Sequence, residues 1–300
     1  MDDKGKAMVL ASFAADSLAL GAHWIYNPES ILKLFSRVES FLKPSPKSYH
    51  SKKDKGDFTH YGDQAYVLLE SLAEKKGFDL FDFSTRWRAL FQDYTGYVDH
   101  ATKLTLSAYA SGSTHEDPGS PSDDLAGASR MAPLVYSYRH DLEELVGNAR
   151  AQTRMTHSNP VTVDSAEFFA RVTWRVLKGS QPVEAMTNIS QEHFGSSRIS
   201  GWVQSGLESK VKDSVSIISK FGQSCHTGEA FPGVVHLIAR YENDLKEALI
   251  QSVMAGGDSA ARGMMVGMVL GAHLGLESLP AEWLHALKKK ERILTLLEKL

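Results

Sequence analysis

Carboxylates at two helix starts are the residues of this chain best placed to do chemistry. Asp63 closes the run His60-Tyr61-Gly62-Asp63, and Asp258 follows Gly256-Gly257 at the head of a segment rich in Gly, Ala and Met. Unpaired N–H groups at a helix N-terminus favour a carboxylate. Each aspartate therefore serves either as a helix cap or as a ligand for a metal or sugar. Asp16 differs, because it lies inside an apolar helix between Ala14-Ala15 and Leu18-Ala19-Leu20. A buried carboxylate needs a partner or an ion, which marks Asp16 as functional or network-forming. His23, beside Trp24 and near Tyr26, is either an acid–base residue or a core histidine bonded to backbone. Arg130 and Arg262 sit on apolar helices, where a guanidinium pairs with a buried acid or faces an anionic ligand. The polar turn Thr156-His157-Ser158-Asn159-Pro160 either binds a ligand or caps the next helix. Cys225-His226 does not read as a nucleophilic pair: sequence neighbours seldom reach the needed geometry, and no Gly-rich oxyanion loop accompanies them.

The elements that must position these groups are helical throughout. Apolar residues recur at i, i+3, i+4 over 6–23, 29–41, 65–73, 83–94, 126–138, 142–153, 165–176 and 182–189. The pattern resumes over 199–222, 232–241, 244–254, 258–274 and 281–299, and no stretch alternates as a strand would. The expected fold class is all-α. Asn27-Pro28 and Asn159-Pro160 supply helix-start signals. Two long irregular connections, 43–61 and 111–124, read either as lids or binding loops or as mobile insertions. No linker or internal repeat divides the 300 residues, so one domain over 1–300 is expected.

The bulk numbers exclude whole classes. With net charge −3 and pI near 6.5 the chain has no basic field for nucleic acid, and the clusters at 47–55 and 288–292 read as solvated surface. A single cysteine, Cys225, rules out an internal disulfide and a Cys-based metal site and suits a reducing cytoplasm. The longest apolar stretch, 264–274, is about half a membrane span. The N-terminus has no basic n-region and reads as a mature helix.

Four marks together resemble the ADP-ribosylglycohydrolase family, which includes the dinitrogenase-reductase-activating glycohydrolases and the jellyfish crystallins. They are Ala14-Ala15-Asp16-Ser17-Leu18-Ala19-Leu20-Gly21, the stretch 127–134, Thr156-His157 and Gly256-Gly257-Asp258. The resemblance covers nearly the whole chain. It implies an all-helical orthogonal bundle whose cleft holds two magnesium ions and cleaves the N- or O-glycosidic bond of an ADP-ribosyl group.

The departures are concentrated at the metal motifs. Where the family has T-D-D-T, this chain has Tyr61-Gly62-Asp63-Gln64. Where it has G-G-D-T-D-T, Ser259, Ala260 and Ala261 follow Asp258, with Arg262 beside them. Many active relatives carry a glutamate where His23 stands. Of the four aspartates these motifs supply, two remain. Hard cations want six oxygens, so Asp63 and Asp258 are expected to hold one magnesium weakly or none. The expected roles are Asp63 and His23 in catalysis with Asp16 in support, and Arg130, His157 and Arg262 on the substrate. The expected partner is an ADP-ribose-like molecule or an ADP-ribosylated substrate. The alternative is a non-catalytic binding or crystallin-like structural protein on the same scaffold.

Overall fold

The computed structural model describes residues 3–300; Met1 and Asp2, the first two residues of the expected N-terminal helix, lie outside it. Helices and their connections make up the described chain, with no strand beyond two isolated bridges. The all-α expectation holds.

The central pair is the N-terminal helix Asp3–Ala19 and the helix Ser259–Leu274. The first is buried on every face from Ala7 onward, as expected of a helix with no polar stripe. Gly263, Gly267 and Gly271 lie against Ala15, Ala11 and Ala7 respectively, so the two helices run antiparallel with small residues at a spacing of four along the seam. A Cβ at Gly267 would sit 2.6 Å from the Ala11 carbonyl oxygen. Gly267→Ala should therefore lower stability by about 2 kcal/mol, even though alanine is the better helix former. Gly147→Ala, on an exposed helix face with open space around it, should instead add about 0.5 kcal/mol. Denaturant titration of the two variants checks both signs.

Three long expected helices are broken. The run 126–138 forms Ala126–Ser129 and Ala132–Ser137, with Pro133 in the first turn of the second. The run 199–222 divides into Arg198–Glu208 and Ser214–Phe221, where Asp213 caps the second by accepting from the Ser216 N–H. The run 281–299 divides into Ala281–Ala286 and Lys290–Leu297. The helix His100–Ala110 gave no periodic signal because its buried face is only Ala101, Thr102 and Thr105. Together the helices enclose one contiguous apolar core.

The antiparallel seam brings the end of the first helix to the start of the other. The turn after Ala19 is bonded there: Trp24 N–H donates to the Gly257 carbonyl, and Gly257 N–H donates to that of Ile25, both at 3.0 Å. Gly256 and Gly257 are both left-handed (φ 75° and 69°), a conformation that suits glycine and turns Asp258 into the cap position. Trp24 is also left-handed at φ 66°, which is a strained choice for so large a residue.

Candidate functional site

Asp16, fully buried, fixes the start of the helix His60–Lys75. It accepts from the Thr59 N–H at 2.7 Å and from the Thr59 hydroxyl, while the same hydroxyl caps the helix by accepting from Tyr61 N–H. Burial lifts the Asp16 carboxyl to about 6, against the lowering effect of the two Thr59 bonds. Gly62 packs directly over it: an added Cβ would fall inside the contact distance of Asp16 Oδ2 and 2.8 Å from Phe58 Cβ.

The two helix-start aspartates have separate partners. Asp258 caps its helix at Ala261 N–H, accepts from the Tyr61 hydroxyl at 2.9 Å, and lies 4.0 Å from His23 Nδ1. Burial, reinforced by the charge of Asp124, raises its carboxyl to about 6. Asp63 accepts on one oxygen from both the Lys53 ammonium and the Tyr94 hydroxyl. Burial and the adjacent Asp63 push the Tyr94 phenol upward. Lys53 belongs to the 47–55 cluster, read from sequence as solvated surface. Its side chain is only 15 % exposed, and the correction is that this residue points inward to a carboxylate.

Around His23 the structure assembles a stack that sequence reading missed. The His23 ring stacks on Trp24 at 4.3 Å and on His50 at 5.3 Å, and His50 stacks on His60 at 5.7 Å. Tyr49 and Tyr97 meet Trp24 edge-on at 5.1 and 4.8 Å. Asp99, the cap of His100–Ala110, lies 3.3 Å from His60 Nε2, at ion-pair distance but off the line of a hydrogen bond. Burial alone would raise Asp99, but His60 and the Thr102 N–H hold it well below the usual range. Burial and then the neighbouring imidazoles hold His23 far below its ordinary value, and burial followed by His60 and Lys53 takes His50 down to about 3. The only sequence signal for His50 and Lys53 was their place in the long connection 43–61.

Both arginines are buried among neutral acceptors. Arg130 was expected to pair with a buried acid or to face the substrate. Instead it donates to Gln152, to the Gln64 carbonyl oxygen Oε1 at 2.9 Å and to the Thr156 hydroxyl, which carries His157 Nδ1 at 2.8 Å. Burial and Arg130 hold His157 down to about 3. Arg262 was expected to pair with a buried acid or to face the substrate. It is fully buried, and its Nη2 donates to the Ser252 and Gly256 carbonyls at 2.6 and 2.7 Å, closing the end of the preceding helix. Tyr61, Gln64, Asp99, Ala126, Arg130 and His157 line a narrow enclosed gap. The connection 111–124 is pinned beside it, since Ser120 exchanges backbone bonds with Thr156 and Ser158. Burial and Asp124 push the Cys225 thiol upward, the opposite of an activated nucleophile, and His226 pairs with Asp123 instead.

A magnesium ion does not fit these residues. One Asp63 oxygen is already occupied by an ammonium and a phenol, and positions 62, 260 and 261 carry no oxygen ligand. Among the described residues, no group of three or more His, Cys, Asp or Glu side chains is arranged to hold a metal.

The family model for ADP-ribosylglycohydrolase matches residues 1–300. The chain belongs to that family. Crystallins and hydrolases are both among its relatives. Crystallin J1B of Tripedalia cystophora is 25% identical, over 94% of this chain and 91% of its own length. ADP-ribosylhydrolase ARH3 of Mus musculus is 24% identical, over 86% and 80%. A solved ADP-ribosylglycohydrolase-related protein complex superposes with a TM-score of 0.78 at 23% identity, covering 99% of this chain and 96% of that one, and so shares the fold. No helix among the described residues is long and apolar enough to cross a membrane.

Proposed function

We propose that this ADP-ribosylglycohydrolase-family chain binds an ADP-ribose-like group in the region of Tyr61, Asp258, His23 and His157, without the divalent-metal hydrolysis that the family resemblance implies. One observation carries the reading. Buried side-chain atoms without a hydrogen bond gather in this region: both nitrogens of His23 and His50, with His60 Nδ1, His157 Nε2, Asp124 Oδ1, Ser259 Oγ and Arg262 Nη1, while His60 Nε2 faces Asp99 at 3.3 Å. Buried polar atoms are nearly always paired, so a cluster of exceptions marks a place built to meet something else. Imidazole nitrogens can donate to or accept from sugar hydroxyls, carboxylate oxygens accept from them, and Trp24 and Tyr97 supply aromatic faces. The same region lacks the oxygens a hydrolytic magnesium pair needs.

The test is calorimetric titration of ADP-ribose in EDTA and again in magnesium, alongside incubation with a mono-ADP-ribosylated peptide. We expect the same affinity in both buffers and no released ADP-ribose. Magnesium-dependent release would overturn the reading.

A second reading, metal-free hydrolysis, has one observation in its favour. Asp258 is a buried acid of pKa about 6 with a neutral imidazole 4.0 Å away, a combination suited to donating a proton near neutrality. That reading requires release insensitive to EDTA, falling as pH rises through about 6 when Asp258 loses its proton, and abolished in Asp258→Asn.

A further inference from the structure

The partner of Asp63 is the least expected contact in the molecule. Lys53 reaches it from an irregular segment with no helix of its own, and it does so at a position where the family motif would place a metal-binding carboxylate. The ammonium also lies 5.3 Å from the centre of the Tyr94 ring, so carboxylate, phenol and aromatic face surround one cation. The side chains are 15 % and 10 % exposed, which separates this pair from the solvated ion pairs elsewhere on the surface.

We propose that Lys53 is the resident cation of the Asp63 site, standing in for a divalent ion and latching the segment 48–57 across the site. The charge balance supports the substitution. A site built from four carboxylates needs two dications; Asp63 alone needs one positive charge, and Asp258 is served by Tyr61 and a helix N-terminus. A tethered ammonium supplies that charge at any metal concentration, and its single point charge makes no demand for octahedral oxygens.

The latch follows from where Lys53 sits in the segment. Upstream, His50 packs against both His23 and His60, and Tyr49 rests against Trp24 and Tyr97. Downstream, Lys288 N–H donates to the Gly56 carbonyl at 3.2 Å, the Lys288 ammonium pairs with Asp57 at 2.9 Å, and the Ser17 hydroxyl donates to the Asp57 carbonyl at 3.0 Å. Lys53 is the pin between them, flanked by the exposed residues Lys52, Asp54 and Lys55. The gap lined by Tyr61, Asp99 and His157 is narrow and enclosed, so a nucleotide-sized guest requires the surrounding segments to move.

The experiment compares wild type, Lys53→Met and Lys53→Arg, each with its full chain. Limited trypsin digestion reads cleavage after Lys52 and Lys55. Thermal melts and Mn(II) electron paramagnetic resonance, in EDTA and in added divalent metal, read cation dependence. We expect wild type to melt at the same temperature with and without metal and to leave the Mn(II) signal free. Lys53→Met should be nicked in the segment at least about tenfold faster, with Lys53→Arg close to wild type. Wild-type protein that binds Mn(II) or is stabilised by magnesium overturns the cation assignment, and this arm decides it even if Lys53→Met does not fold. Nicking of Lys53→Met at the wild-type rate overturns the latch. Neither readout uses ADP-ribose, so failure of the ligand reading leaves this result separately legible.

Discussion

Replacing Gly62 by aspartate, which restores the family's residue, should destabilise the protein by about 4 kcal/mol or more and still not give it a magnesium site. The cost begins at the first added atom. A Cβ at position 62 would collide with Asp16 Oδ2, lie 2.8 Å from Asp16 Cγ and 2.8 Å from Phe58 Cβ. Asp16 cannot yield, because both its oxygens are bonded to Thr59, which in turn caps the helix carrying position 62. The new carboxylate would then be buried against an existing one, adding like-charge repulsion and desolvation to overpacking. Gly62→Ala isolates the steric part and should account for about half of the loss. Denaturant unfolding gives both values, and magnesium calorimetry on any folded Gly62→Asp gives the second half of the prediction. A variant with wild-type stability that binds magnesium would mean that the metal site is still organised, and the role assigned to Lys53 would fall with it.

What made these relationships legible or illegible in the sequence is a matter of which physical signals are local. The helical class was readable from periodicity, and the close approach of the 254–275 segment to another backbone was readable from its small residues, realised as the seam of Gly263, Gly267 and Gly271 on Ala15, Ala11 and Ala7. That Asp16 needs a partner was readable from its apolar neighbours; that the partner is Thr59, 43 residues away, was not. Lys53 was misread because a run of lysines in an irregular loop normally faces water, and nothing in the run distinguishes the one that turns inward. The stack of His23, His50 and His60 draws each ring from a different segment, and no local pattern announces such a meeting. Arg262 was misread for the opposite reason. An apolar helix around a guanidinium says that the charge is buried but not which acceptors it faces, and here they are carbonyls at the end of the preceding helix.

Asp16→Ala should cost about 3 kcal/mol at pH 7.5, whereas Asp16→Asn should stay within about 1 kcal/mol of wild type or exceed it. Alanine leaves the Thr59 N–H buried without an acceptor and opens a small cavity. Asparagine can still accept that N–H through its carbonyl oxygen and donate from its amide to the Thr59 hydroxyl oxygen. It also removes a charge that the site holds at a penalty. Because the folded-state pKa of Asp16 is raised from 3.8 to about 6, its ionised form is the disfavoured one. The contribution of this carboxyl to stability is therefore full below pH 3.8 and is lost as pH rises through about 6. A lift of roughly two pKa units corresponds to about 3 kcal/mol, as an order of magnitude. Asp16→Asn carries no such term. Its stability relative to wild type should accordingly climb across the window from about pH 4 to about pH 6 and then level off. Taking the difference between the two proteins at each pH cancels the opposite, acid-destabilising trend of His23, His50 and His157, whose folded-state pKa values are lowered. Paired urea titrations at pH 4.5, 5.5, 6.5 and 7.5 would measure this difference directly. If asparagine is as damaging as alanine at pH 7.5, the negative charge itself is needed to hold Thr59 and the helix it caps. If asparagine substitutes freely, the residue acts through its two bonds to Thr59, and its work is to set the helix that presents Tyr61 to Asp258.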